Sequence, residues 1–132
     1  MEKARRDRRV RRARASRIRA WTFGRWAEGA CAVCLMLKGY RIVARDVRTP
    51  VGEIDLVARR GRTVAFIEVK ARRGVNTAEA LTPRQRRRIV RAARAFLQYR
   101  TGLAALDRRF DLILVRPWRW PRHLTNAWRA DD

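Results

Sequence analysis

Asp55 is followed, after twelve intervening residues, by the triplet Glu68-Val69-Lys70. Two carboxylates and an amine at this spacing suit phosphodiester hydrolysis. That reaction needs a hard cation, held by oxygens, beside the scissile phosphate. Asp55 and Glu68 would supply two oxygens and the Val69 backbone carbonyl a third, so Mg2+ or Mn2+ is the implied cofactor. Lys70, one residue beyond Val69, would orient the attacking water or steady charge developing on the phosphorus oxygens. The chain's only lysines are Lys3, Lys38 and Lys70, among 34 lysines and arginines in all. A chain that writes arginine almost everywhere writes beside Glu68 the cation that can give up its proton. The bland alternative is a structural salt-bridge cluster. Against it stands the repulsion among Glu53, Asp55 and Glu68, with only Lys70 placed to relieve them locally.

These residues need a β-hairpin to meet. Glu53–Ala58 and Val64–Lys70 alternate and are rich in β-branched and aromatic residues, with Arg59-Arg60-Gly61-Arg62 between them. Alternation predicts that Ile54, Leu56 and Ala58 share an apolar face with Ala65, Ile67 and Val69. The other face would carry Glu53, Asp55, Val57, Val64, Phe66, Glu68 and Lys70. A turn centred on Arg60-Gly61 predicts Asp55 opposite Phe66 and Glu53 opposite Glu68, leaving Asp55 and Glu68 as diagonal neighbours roughly 7–8 Å apart.

Around the hairpin, Gly24–Lys38 reads as a helix, with Ala27, Cys31, Cys34 and Leu35 on one stripe and Gly39 as its stop. Glu28 lies beside that stripe. It is either an acid favoured by the helix dipole or a further acid turned toward the site. Cys31 and Cys34 fall within the apolar stripe and read as core rather than redox or metal chemistry. Tyr40–Val47 reads as a strand and Ala71–Leu81 as a mobile loop. Thr82-Pro83-Arg84-Gln85 carries a capping box that opens a helix over Pro83–Arg100. Ile89, Ala93, Phe96 and Leu97 form its buried stripe; Arg84, Arg87, Arg88, Arg91 and Arg94 face the other way. Those arginines are either a solvated face or contacts to phosphate. Arg109–Val115 is almost continuously apolar and predicts a central strand covered on both faces, with Asp111 holding a neighbouring arginine. Pro117–Asp132 reads as a strand or a short last helix containing Trp128, and His123 as structural.

The net charge of +22 makes a polyanion the default partner, nucleic acid first and a membrane surface a weaker rival. Residues 1–22 form a basic arm, helical or disordered, ahead of a single domain at 23–132. Two cysteines make no disulfide framework and suggest a reducing compartment; no apolar run is long enough for a membrane span, so the expected location is the cytoplasm.

The strings GRWAEGA, KGYRIVAR, GEIDLVA, FIEVKAR, EALTPR, RRIVRAA and RFDLI, in this order over Phe23–Val115, resemble the YraN family of small bacterial proteins. That family is similar to Holliday-junction resolvases and restriction endonucleases. The resemblance implies a restriction-endonuclease-like α/β core: a mixed central sheet with helix Gly24–Lys38 on one side and helix Pro83–Arg100 packed against it. It implies a metal site of the PD-(D/E)XK type, with Asp55, Glu68 and Lys70 at the metal and catalytic positions and Glu28 as the acid on the first helix. Two departures stand out: Asp46 where the family usually has Asn, and Gln85 where it often has Lys. The expected function is a Mg2+- or Mn2+-dependent endonuclease acting on DNA, including branched DNA, with Arg84, Gln85, Arg87 and Arg91 on the nucleic acid. The alternatives are a nucleic-acid-binding protein of the same fold without turnover, and a basic scaffold in a DNA-processing or ribosomal assembly. A homodimer is the assembly that the resolvase likeness allows, since two symmetric cuts need two sites.

Overall fold

The computed structural model describes residues 2–71 and 81–131. Helix α1 spans Glu2–Leu37 and is followed by strands β1 (Arg41–Thr49), β2 (Gly52–Arg60) and β3 (Thr63–Ala71). Helix α2 (Pro83–Leu97), a single turn α3 (Thr101–Ala104) and strands β4 (Asp107–Val115) and β5 (Arg122–Trp128) complete the chain. The strands form one sheet in sequence order. All pairings are antiparallel except β3–β4, which is parallel and whose connection carries α2. This is the expected mixed α/β architecture, a five-stranded sheet flanked by helices and compatible with a restriction-endonuclease-like core.

The helices lie on opposite faces of the sheet. Ala27, Cys31 and Leu35 of α1 pack on Leu56, Ala58, Ala65, Ile67, Ile113 and Val115. Val90, Ala93, Phe96 and Leu97 of α2 pack on Val57, Val64, Phe66, Phe110, Leu112 and Leu114. Strand β4 is thus covered on both faces, as its apolar run predicts. Cys31 and Cys34 are free and fully buried, as core residues should be; burial pushes the Cys31 thiol up to about 12.

Each helix end has a local cause. At the C-terminus of α1 the Tyr40 amide donates to Leu35 O and the Gly39 amide to Met36 O. That is a Schellman motif, and it needs the left-handed backbone that Gly39 adopts at φ 87°. Tyr40 and Leu35 then bury together. At α2 the capping box forms as expected: Gln85 N donates to Thr82 Oγ1 and Thr82 N to Gln85 Oε1.

Two expectations are corrected and one alternative is decided. The first helix begins at Glu2 rather than at Gly24, so residues 2–22 take the helical one of the arm's two alternatives. Of the two alternatives for the C-terminal stretch, the strand forms, as β5, bulged at Asn126, where φ is 52°. Asn126 N is turned onto Asp111 Oδ1, which accounts for the irregular pairing with β4 there. Ile54 packs in the α2-side cluster rather than on the face with Leu56 and Ala58; it lies beyond Leu56, where the regular β2–β3 pairing ends. Residues 72–80 of the expected mobile loop lie outside the described residues.

Asp111 plays the structural role expected of it. It is fully buried and accepts hydrogen bonds from Arg109 Nε (2.9 Å), Arg109 Nη2 (2.8 Å) and Asn126 N (3.0 Å), with His123 Nε2 at 2.8 Å. Burial alone would raise its pKa, but the hydrogen bonds from His123, Arg109 and Asn126 outweigh it and hold the carboxyl below its usual range. Arg109 also donates to the Tyr40 hydroxyl, tying β4 to the α1 cap.

Candidate active site

The hairpin turns later than its sequence predicts, and its pairing shifts accordingly. Arg60 pairs with Thr63, so Gly61 and Arg62 form the turn, and Gly61 takes φ 60°. Val57, not Asp55, faces Phe66. The last regular pair is Leu56 with Ile67, which sets Asp55 beside Glu68 directly rather than diagonally. In β1–β2, Arg45 pairs with Leu56 and Val47 with Ile54, which sets Asp46 across from Asp55. Asp46, Asp55 and Glu68 therefore stand in one row across three adjacent strands. Asp46 is the acid that alternation missed. It takes φ 50°, a left-handed conformation that Asp and Asn tolerate better than other side chains. Glu53, expected on the same patch, is exposed at the cleft rim.

At Asp55 the β2–β3 ladder stops, and the carboxylate takes over the backbone's role. Val69 N donates to Asp55 Oδ2 at 2.8 Å, satisfying an amide that a continued ladder would have paired. Lys70 Nζ lies 3.6 Å from Glu68 Oε1, so acid and amine share a face. Side-chain exposure is only 16% for Lys70 and 19% for Glu68, so their charges are poorly screened.

The electrostatics follow from that crowding. Burial, then the Asp55 carboxylate, pushes Glu68 up to about 7 against the opposing pull of Lys70. Burial also raises Asp55, against the Val69 amide, the Glu68 hydrogen bond and Lys70. Without a cation, burial and carboxylate repulsion both favour the protonated form of this pair. Glu28 is raised too, first by burial and then by Asp46 and Asp55, with Arg25 and Arg45 opposing. Helix α1 thus brings Glu28 within electrostatic range of the row.

The acids open into a cleft of about 620 Å³ between the β1–β2 turn and the start of α2. Thr49, Gly52, Asp55, Glu68, Gln85 and Arg88 are among its lining residues. Thr49 shapes the turn, its hydroxyl donating to Gly52 O at 2.7 Å and accepting from Val51 N at 3.3 Å. Gly52 lets β2 run close beneath α2, since a Cβ there would stand 3.1 Å from the Arg88 carbonyl oxygen. Gln85 reaches the cleft while holding the helix cap. Arg84, Arg87 and Arg91 are exposed along α2 outside the cleft lining. Arg88, part of the α2 arginine stripe but not among the four residues assigned to the nucleic acid, is the arginine of that stripe that lines the cleft.

The donor set fits a hard cation. Asp55 and Glu68 offer adjacent carboxylate oxygens, and no group of three such side chains converges among the described residues. Two carboxylates match the usual protein share of a Mg2+ site, whose other positions go to water and phosphate.

The family model described as "Uncharacterised protein family UPF0102" matches residues 27–115, which include every acid of the row, Glu28 and Lys70. The chain belongs to the UPF0102 family, the YraN family. A UPF0102 protein of Parvibaculum lavamentivorans is 54% identical over 116 residues, 87% of each chain. One from Paramagnetospirillum magneticum is 54% identical over 113 residues, covering 82% of this chain and 88% of its own. A third, from Mesorhizobium japonicum, is 51% identical over 114 residues, covering 86% and 91%. The UPF0102 match starts one residue before Glu28 and ends with β4, so β5 lies beyond it.

Proposed function

We propose that this UPF0102 protein is a metal-dependent endonuclease acting on DNA in the cytoplasm, branched DNA included. The observation that carries the reading is the row Asp46–Asp55–Glu68, with Lys70 3.6 Å from Glu68 and with Asp55 and Glu68 in a cleft that Arg88 also lines. Two half-buried acids with a third beside them are a poor stability device and a good cation site.

Asp55 and Glu68 would hold Mg2+ or Mn2+, with the Val69 carbonyl as a further oxygen. Such an ion supplies Lewis-acid polarisation of the phosphate and acidifies a bound water. The remaining work falls to the chain's own groups. Val69 N–H fixes the Asp55 carboxylate by its 2.8 Å hydrogen bond, so the acid is oriented before any ligand arrives. Lys70 holds the Glu68 carboxylate and is placed to orient the attacking water or steady the phosphorane charge. Arg88 lines the cleft where a phosphate backbone would pass, and Arg84, Arg87 and Arg91 extend that basic line along α2. Glu28 adds negative charge behind Asp46 and Asp55.

The test is cleavage of junction, flap and duplex DNA with Mg2+ or Mn2+ against EDTA. Expected is metal-dependent cleavage lost in Asp55→Asn and Glu68→Gln. Binding without cleavage of any substrate in either metal would leave a nucleic-acid-binding protein of this fold.

A further inference from the structure

The turn between β4 and β5 reads Arg116-Pro117-Trp118-Arg119-Trp120-Pro121, followed by Arg122 at the start of β5. It lies outside the residues that the family model matches. Trp118 is 99% exposed and Trp120 65% exposed. Indole rings are large apolar surfaces, and exposing two of them forfeits burial that a core would otherwise gain. The backbone also holds them out at a cost: Trp118 takes φ 60°, an outlier conformation for a bulky side chain. Behind the rings runs a groove of about 550 Å³, floored by Gly29, Ala30 and Val33 of α1 and flanked by Trp26 and Arg119.

Its position ties this groove to the acids. Strands β3 and β4 are parallel, so they end at the same edge of the sheet. Lys70 pairs with Leu114 and Ala71 with Val115, and the tryptophan turn begins at Arg116. One strand spacing and two residues of rise place Arg116 about 8 Å from Lys70 along the backbone. The acids open on the α2 face and the groove lies against α1 on the other, so a DNA strand running between them crosses this edge; Glu28 of α1 is within electrostatic range of the acids, and Gly29 and Ala30 line the groove.

We infer that the Trp118–Trp120 turn is a stacking platform for unpaired bases, receiving a single DNA strand that leaves the acidic site over the edge of β3 and β4. The inference rests on the proposed nucleic-acid function and adds its substrate class: DNA with a single-stranded segment next to the scissile phosphate. Aromatic rings stack on any base, and the arginines at 116, 119 and 122 alternate with them to meet the phosphates. Charge argues against a second copy of the chain as occupant, because each copy would bring the same arginines and a net +22 to the interface.

The test is binding in EDTA, so that turnover plays no part. In the wild-type chain, oligo-dT should quench tryptophan fluorescence more strongly than a duplex of equal length; equal or absent quenching overturns the inference. Trp118→Ala/Trp120→Ala should lose affinity for oligo-dT about tenfold or more per ring. Its duplex affinity and salt slope should stay within about twofold, and Trp118→Phe/Trp120→Phe should recover most of the loss. Equal losses on both nucleic acids, or no loss on oligo-dT, overturn it. So does a concentration-dependent dimer in sedimentation that the alanine variant abolishes while oligo-dT affinity holds, which would assign the face to a second copy. If single-strand preference stands while no substrate is cut in Mg2+ or Mn2+, the platform holds and the nuclease reading fails. If substrates are cut without that preference, the nuclease reading holds and the platform fails.

Discussion

Burial and carboxylate repulsion raise the pKa of both Asp55 and Glu68, and at the scale of single residues this makes stability depend on pH. In chelator, Glu68 titrates at about 7 in the fold and near 4.3 unfolded. The native state binds the extra proton, so stability is fully present below about pH 4 and falls as pH rises toward 7, by up to about 4 kcal/mol. Chemical denaturation across that window should show the slope, and Glu68→Gln should flatten it. Added Mn2+ should raise the melting temperature of wild type at pH 7.5 but not of Asp55→Asn or Glu68→Gln, both of which should fold at least as well as wild type in chelator. Lys70→Arg separates charge from chemistry. It should keep DNA and metal binding and lose most cleavage; unchanged cleavage would reduce Lys70 to a counterion for Glu68. Asp111→Ala should behave in the opposite way, costing about 3–5 kcal/mol because Arg109 and His123 are left around a void. Asp55, Glu68 and Lys70 were legible in the sequence because alternation and a glycine turn announce a hairpin. Asp46 was not, because its left-handed backbone breaks the period that would have pointed to it.

Among the elements, the close packing of β2 beneath α2 decides the width of the cleft. Gly52→Ala should force Arg88 and the helix outward, at about 1–3 kcal/mol. Thermal melts would read that cost, and a change below a few tenths of a kcal/mol would mean that the helix shifts freely. The exposed arginines of α2 belong to the same scale. Replacing Arg84, Arg87 and Arg91 with Ala should weaken DNA binding evenly across sequences and flatten its salt dependence, whereas an unchanged slope would make them a solvated face. Arg88→Ala should additionally impair cleavage, since it alone of these four lines the cleft. Element identity was readable from caps and periodicity: the Thr82–Gln85 box and Gly39 fix two helix ends. Register was not. It depends on whether Arg60 or Arg62 joins Gly61 in the turn, and arginine has little preference between the two places. The bulge at Asn126 likewise depends on a partner, Asp111, fifteen residues away.

For the molecule as a whole, charge is the dominant variable. No helix among the described residues is long and apolar enough to cross a membrane. The N-terminal turns of α1 are exposed through Arg11, and residues 2–11 carry Lys3 and five arginines against Glu2 and Asp7. Deleting residues 2–11 should therefore leave the melting temperature nearly unchanged while lowering DNA affinity and its salt slope. A large loss of stability would mean that this stretch packs on the domain. Because the sheet is built in sequence order, most of the fold follows from neighbouring segments. The parallel β3–β4 step is the one that joins distant parts of the chain, and it sets the acids and the tryptophan turn at a common edge.

The hydrogen bond from Val69 N–H to Asp55 makes one amide a meter for the whole site. Its proton resonance depends on the charge of the carboxylate that it touches. In an isotope-labelled sample, that single cross-peak should move with protonation, move again with a diamagnetic cation such as Mg2+, and stay still on binding to a remote surface. Occupancy of the acids could then be followed in real time, one amide at a time, without a substrate or a cut.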